Sequence, residues 1–176
     1  MTHYQWRPMR ADDLSRVMHI AAQVHEAYFE AQEVFAERLA LFPQGCRIAM
    51  ASEAPEDVIG YAFMHPARYG HAPALNTLLG GLDGADCLHL HDVALLPQAR
   101  GSGLGRALVE ELLRLCVLSG LPRATLVAVH ASSAYWQASG FTVDALADVP
   151  EGRGLESYGA EACYMSMRVP DEAARR

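Results

Sequence analysis

From Arg100 to Arg106 the chain reads RGSGLGR, with glycines at 101, 103 and 105 just before an amphipathic run. Such a loop presents bare backbone N–H groups at the head of a helix, where aligned peptide dipoles favour an anion. Gly103 and Gly105 lack the Cβ atoms that would keep a diphosphate away from the chain. The N–H groups of Gly101, Ser102, Gly103, Leu104, Gly105 and Arg106 would then face it, with cationic reach from Arg100 and Arg106. Upstream, in LHLHDVALL, strand alternation puts His89 and His91 on one face and Asp92 on the other, unless a bulge intervenes. Imidazole titrates near neutral pH, so either histidine suits proton transfer; both could equally be strand residues hydrogen-bonded in a polar patch. Asp92 could orient a histidine, pair with Arg100 or help shape the site.

The Walker loop is excluded, and a dinucleotide loop is disfavoured but stays open as a distant reading. No Lys-Ser or Lys-Thr follows the glycines, so nothing reaches a β/γ-phosphate or a magnesium ion. A dinucleotide fingerprint counted from Gly101 needs glycine where Arg106 stands. It also needs an acid after the next strand, but ATLVAV is followed by His130, and the next acid is Asp144.

The elements around the loop alternate. HYQWRP reads as a strand, and MRADDLSRVMHIAAQV as an Asp-capped helix with Leu14, Val17, Met18 and Ala21 at helical spacing. AQEVFAERLALF is a second helix, stopped by Pro43. CRIAMAS and VIGYAFMH flank EAPED as a hairpin. Residues 66–86, punctuated by Gly, Ala and Pro, read as a long, partly helical excursion. CLHLHDVALL and ATLVAV are buried strands on either side of the loop and its helix. SSAYWQAS is a short helix closed by Gly140, FTVDAL and ACYMSMRV are a final antiparallel pair, and residues 171–176 are a solvated tail. The pattern is a single α/β domain over residues 1–170, with a twisted mixed sheet of about six to seven strands and helices on both faces.

With 176 residues and 51% hydrophobic content, the chain can bury a full core. A net charge of −7 argues against a nucleic-acid partner and mildly favours a cationic substrate. Cysteines 46, 87, 116 and 163 have no metal-type spacing and suit a reducing compartment; no metal is expected. MTHYQWRPMRADD has no apolar leader core, and no run approaches the roughly 18 apolar residues of a membrane span. A cytoplasmic protein without a membrane partner is expected, with a homodimer left open.

The Arg100-x-x-Gly103-x-Gly105 loop between strand and helix resembles the main motif of the GCN5-related N-acetyltransferase (GNAT) superfamily. LHDVALLPQARGSGLGRALVEELL is similar to that whole strand-loop-helix motif, VAVHASSAYWQASGF to its second motif, and VIGYAFMH to its third strand, all in family order. The resemblance implies acetyl-CoA as co-substrate, its pyrophosphate on the loop and its pantetheine arm beside Val93, Ala94 and Leu95, where a splay or bulge opens a slot. A backbone N–H near Leu95 would hold the developing oxyanion. It implies transfer of an acetyl group to a primary amine of a small molecule or peptide, attacked directly in a ternary complex. His89 matches the place of a glutamate base in histone-type members. The usual tyrosine of the second motif is replaced by Trp136, a wall for the pantetheine; Tyr135 reads as core, and Tyr158 could approach from the opposite side. Ser133, with Ser132 and His130, stands near the family's pantetheine-binding asparagine, though a serine N-cap accounts for it as well. The acceptor side falls to His25, Glu26, Tyr28, Phe29, Glu30 and Glu33 or to a solvated helix face, with 65–71 as a cover. A transferase of longer acyl groups and an acyl-CoA-binding regulatory or scaffold module are the alternatives.

Overall fold

The computed structural model describes residues 3–129, 131–145 and 153–170, so His130 and the expected tail at 171–176 lie outside the described residues. The strands are β1 (Tyr4–Pro8), β2 (Cys46–Ala51), β3 (Ala54–Ala67), β4 (Cys87–Leu95), β5 (Arg123–Ala128), β6 (Thr142–Val143) and β7 (Cys163–Arg168). The helices are α1 (Leu14–Val24), α2 (Gln32–Leu41), α3 (Leu104–Leu118), α4 (Ser133–Ala138) and α5 (Arg153–Glu156). All strands join one mixed sheet in the order β1-β2-β3-β4-β5-β7-β6; β4 and β5 run parallel, and the other neighbours are antiparallel.

Alternation along β3 sorts the core into two layers. Ala62 and Met64 face α3, whose Leu108, Leu112 and Leu115 pack with Leu88, Leu90 and Leu126. Tyr61 and Phe63 face the opposite way, against Val17 and Ile20 of α1 and Phe35 of α2. Helices therefore cover both faces, as the pattern predicts.

Two local expectations change. No helix or strand forms between Ala67 and Cys87. Gly70, Gly80 and Gly84 adopt positive φ and Pro73 has no donor, so the excursion is held by side chains instead. Glu37, for example, accepts the Leu79 and Gly80 N–H groups at 2.7 and 2.9 Å. In the hairpin, Ala51 pairs with Ala54, so the turn is Ser52–Glu53 and the EAPED stretch from Ala54 to Asp57 belongs to β3. Cys46, Cys87 and Cys116 are buried free thiols. Among the described residues, no helix is long and apolar enough to cross a membrane.

Candidate functional site

The site begins where β4 leaves regular register. Against β3, Leu90 pairs with Met64 and Asp92 with Phe63, so His91 is an inserted residue, a β-bulge. The insertion cancels the alternation. Asp92 reaches Tyr61 and His25, on the α1–α2 side where His91 meets Glu30. Against β5, β4 pairs only from Leu88 to Leu90, opposite Ala124 to Leu126. Beyond that point the parallel strands diverge. A cavity of about 180 Å³ lies in the fork, between Val93 of β4 and Val127 of β5. Tyr135 and Trp136 of α4 also wall it, as do His25, Tyr28, Glu30 and Tyr158.

The glycine loop ends in a left-handed residue at the head of α3: Gly103 has φ 88°, and its Cβ position is open space. The first backbone bond of the helix runs from Ala107 N–H to the Gly103 carbonyl, so the N–H groups of Leu104, Gly105 and Arg106 have no intrahelical acceptor. Trp6 Nε1 donates to the Leu104 carbonyl at 2.9 Å and anchors this helix head to β1. Ser102 Oγ donates to the Ala99 carbonyl at 2.6 Å. Arg100 is exposed, and Arg106 is exposed with its Nε on Glu110. Gly105 departs from expectation, because a Cβ there would meet the Tyr135 hydroxyl.

Two acid–imidazole pairs, one buried and one partly exposed, line the cavity. His91 Nε2 lies 2.6 Å from Glu30 Oε1, with their side chains 0% and 3% exposed. Glu30 Oε2 accepts the Asn76 N–H at 3.1 Å. His25 Nε2 lies 3.0 Å from Asp92 Oδ1, and Tyr61 donates its hydroxyl to Asp92 Oδ2 at 2.8 Å. Burial alone would lower His25, but the hydrogen bond and charge of Asp92 raise it above its ordinary value. Burial would raise Asp92, yet His25, His91 and Tyr61 together hold it below the usual carboxylate value. Each therefore favours the charged form of the other.

Of the expected catalytic residues, His91, Asp92 and Tyr158 come together at the cavity, and His89 does not. His89 is buried beneath it, with Nδ1 2.9 Å from Thr125 Oγ1 and its ring stacked on Tyr164. Burial, aided by His65 and His91, drives it well below the ordinary histidine value. Neighbouring His65 falls to about 3, mainly by burial. Among the described residues, no group of three or more His, Cys, Asp or Glu could hold a metal ion. Tyr158 donates its hydroxyl to the Pro73 carbonyl at 3.0 Å, and burial raises its phenol.

Of the expected cofactor backbone, Val93 lines the cavity, with its carbonyl 3.1 Å from His25 Nε2. Ala94 is buried in the α1–α2 layer, and Leu95 packs near Ala99 and Leu104. Ser132 lines the cavity rather than Ser133, and no serine side chain caps α4. Trp136 is both wall and core. Tyr135 is half exposed rather than core. Adjacent helical residues differ by about 100°, so Trp136, by taking the inward position, turns Tyr135 toward the cavity and the loop. Glu26, Phe29 and Glu33 are exposed, whereas Glu30 is buried. Nothing in VHEAYFE separates Glu30 from its acidic neighbours; its partner His91 is 61 residues away.

The sequence matches the model of the acetyltransferase (GNAT) family over residues 10–141. The fold is similar to Ard1 from Thermoplasma volcanium, with a TM-score of 0.67 and 15% identity over 96% of this chain and 99% of that one. The ribosomal-protein-S18-alanine N-acetyltransferase of Escherichia coli aligns at TM-score 0.62 and 18% identity, over 94% of each chain. The N-acetylglutamate synthase of Neisseria gonorrhoeae, solved with coenzyme A and N-acetyl-glutamate, aligns at TM-score 0.69 and 17% identity, over 97% of this chain and 36% of that one. Comparison with curated proteins gave no match.

Proposed function

This chain belongs to the GNAT acetyltransferase family, and on that premise we propose that it transfers an acetyl group from acetyl-CoA to a primary amine by direct attack in a ternary complex. The observation that carries the reading is the forked β4–β5 pair. A cavity in the fork has two acid–imidazole pairs in its wall, and an open glycine loop heads α3 directly after β4.

The open Cβ position of Gly103 and the unbonded N–H groups at the head of α3 fit a pyrophosphate. Arg100 and Arg106 stand in solvent, within the loop's reach of the outer phosphates. Acetyl-CoA supplies a thioester carbonyl open to a neutral amine. The chain's task is to align the amine, take its proton and hold the charge that develops.

Amines are mostly protonated at neutral pH, so a base must receive a proton before or during attack. His91, oriented by Glu30, takes that role, directly or through water; Asp92 and its partner His25 fix the bulge that presents it. Backbone groups at Val93–Leu95 position the carbonyl. Tyr135, in the cavity wall with its hydroxyl against Gly105, would protonate the departing thiolate, the role that Trp136 cannot take.

Thiol release from acetyl-CoA with a broad amine panel tests the reading. Tyr135→Phe should lower kcat about tenfold or more with little change in CoA affinity. Tight CoA binding without turnover on any amine would instead identify an acyl-CoA-binding module.

A further inference from the structure

One side of the cavity is crossed by residues 68–86, whose Leu75 forms part of its wall. This strap is fastened on both sides. Toward α2, Asn76 N–H donates to Glu30 at 3.1 Å, the Ala31 N–H to the Asn76 side-chain oxygen at 2.7 Å, and the Leu79 and Gly80 N–H groups to Glu37. Toward α5, Leu75 N–H donates to Ser157 Oγ at 2.9 Å and Tyr158 to the Pro73 carbonyl at 3.0 Å. Gly154 approaches Ala72 so closely that a Cβ would meet its carbonyl oxygen.

An acceptor gripped along its length as an extended polypeptide needs an open trench and free backbone groups to pair with. Here the strap's N–H groups at 75, 76, 79 and 80 are bound to side chains of both flanking walls. The 180 Å³ cavity is smaller than the roughly 300–1,000 Å³ pockets of drug-sized ligands.

Charge narrows the class further. The wall carries the carboxylates of Glu30 and Asp92, and no Arg or Lys among the described residues lines it. His25 and His91 direct Nε2 onto Asp92 and Glu30. An acceptor carboxylate would be desolvated beside two acids, and the buried Arg38 guanidinium, which offsets part of the Glu30 charge, donates to the Val34 and Thr77 carbonyls and does not line the cavity. An ammonium meets the opposite situation, with the rings of Tyr28 and Tyr158 at hand, their centroids 6.5 Å apart.

Resting on the acyl-transfer reading above, we infer that the acceptor is a compact cationic amine with an apolar body and no carboxylate, rather than an amino acid or a polypeptide chain end.

The test compares isopentylamine, leucine and a tetrapeptide with N-terminal leucine, all with acetyl-CoA and read by thiol release. These share one side chain and differ in the carboxylate or the chain beyond it. Isopentylamine should exceed both others in kcat/KM by about a hundredfold or more. Equal or better turnover of leucine or the tetrapeptide overturns the inference and leaves acyl transfer standing. Thiol release from no member of a wide panel of amines, amino acids and peptides removes the acyl-transfer reading itself. The strap is tested separately with the double variant Glu37→Ala/Ser157→Ala, which loosens both fastenings. It should narrow the preference over the tetrapeptide by about fivefold or more, the scale of one lost hydrogen bond. An unchanged ratio in a folded variant refutes the strap as the gate.

Discussion

Replacing Glu30 with Gln removes one charge and almost no volume, from a side chain only 3% exposed. The amide oxygen can still accept the Asn76 N–H. The amide NH₂ would then face His91 Nε2, so the imidazole must accept there and carry its proton on Nδ1. A hydrogen bond survives, but an ionised one becomes neutral. Charge-assisted bonds contribute roughly 1.5–3 kcal/mol and neutral ones roughly 0.5–1.5, so the loss of stability should be about 1–2 kcal/mol. In a domain of this size that lowers Tm by about 2–8 °C. The effect on rate should be larger, because a positioned base contributes roughly 10²–10⁴-fold. We expect kcat to fall about a hundredfold or more at saturating acetyl-CoA and amine, with the CoA Kd measured by calorimetry unchanged. Glu33→Gln, an exposed neighbour on α2, is the control and should leave both quantities alone. A kcat within about threefold of wild type, alongside the expected drop in Tm, would show that the pair is structural and refute His91–Glu30 as the base.

Gly103→Val tests the loop: φ 88° is unfavourable for a β-branched residue by about 1–2 kcal/mol, and the side chain enters the space assigned to pyrophosphate. CoA binding should weaken about a hundredfold, with the circular dichroism of the fold retained; unaltered affinity would move the phosphate elsewhere. The Asp92–His25 pair sets a pH window for stability. Asp92 is depressed, so its contribution is present above the ordinary carboxylate value of about 3.9 and is lost as pH falls through its lower native value. His25 is raised, so its contribution is full below about 6.5 and is lost as pH rises through its higher native value. Denaturant melts across pH should therefore lose both slopes in Asp92→Asn; retention of the alkaline slope would detach His25 from the pair. Gly45→Ala drives a Cβ into the Met64 carbonyl and Phe42, and should destabilise by about 1–3 kcal/mol in urea titration. A neutral result would mean that the α2–β2 junction yields freely.

Most elements were legible because they are written in short-range periodicity. Val17 and Ile20, or Leu108, Leu112 and Leu115, mark helical faces, and the apolar runs before and after the glycine loop mark buried strands. The excursion at 68–86 misled because alanines and leucines suggest helix, whereas Gly70, Gly80, Gly84 and Pro73 set the backbone and Glu30 and Glu37 hold it from a distant helical region. Within the site, the loop and the neighbourhood of His91 and Asp92 could be named from spacing. The direction of each side chain could not.

By itself, then, the sequence determined the glycine loop, the order of strands and helices and the family, because backbone-permissive glycines and hydrophobic periods act locally. Tertiary structure decided which candidate side chains meet. A single inserted residue at His91 put Asp92 on the same side as the histidine, against strict alternation. Pairing across 61 residues selected Glu30 from a run of acids, and the larger indole of Trp136 took the core and left Tyr135 facing the fork. Neighbours then separated histidines that look alike in the chain. His89 was sealed under Tyr164 and held neutral, while His91 was left at the cavity wall beside a carboxylate.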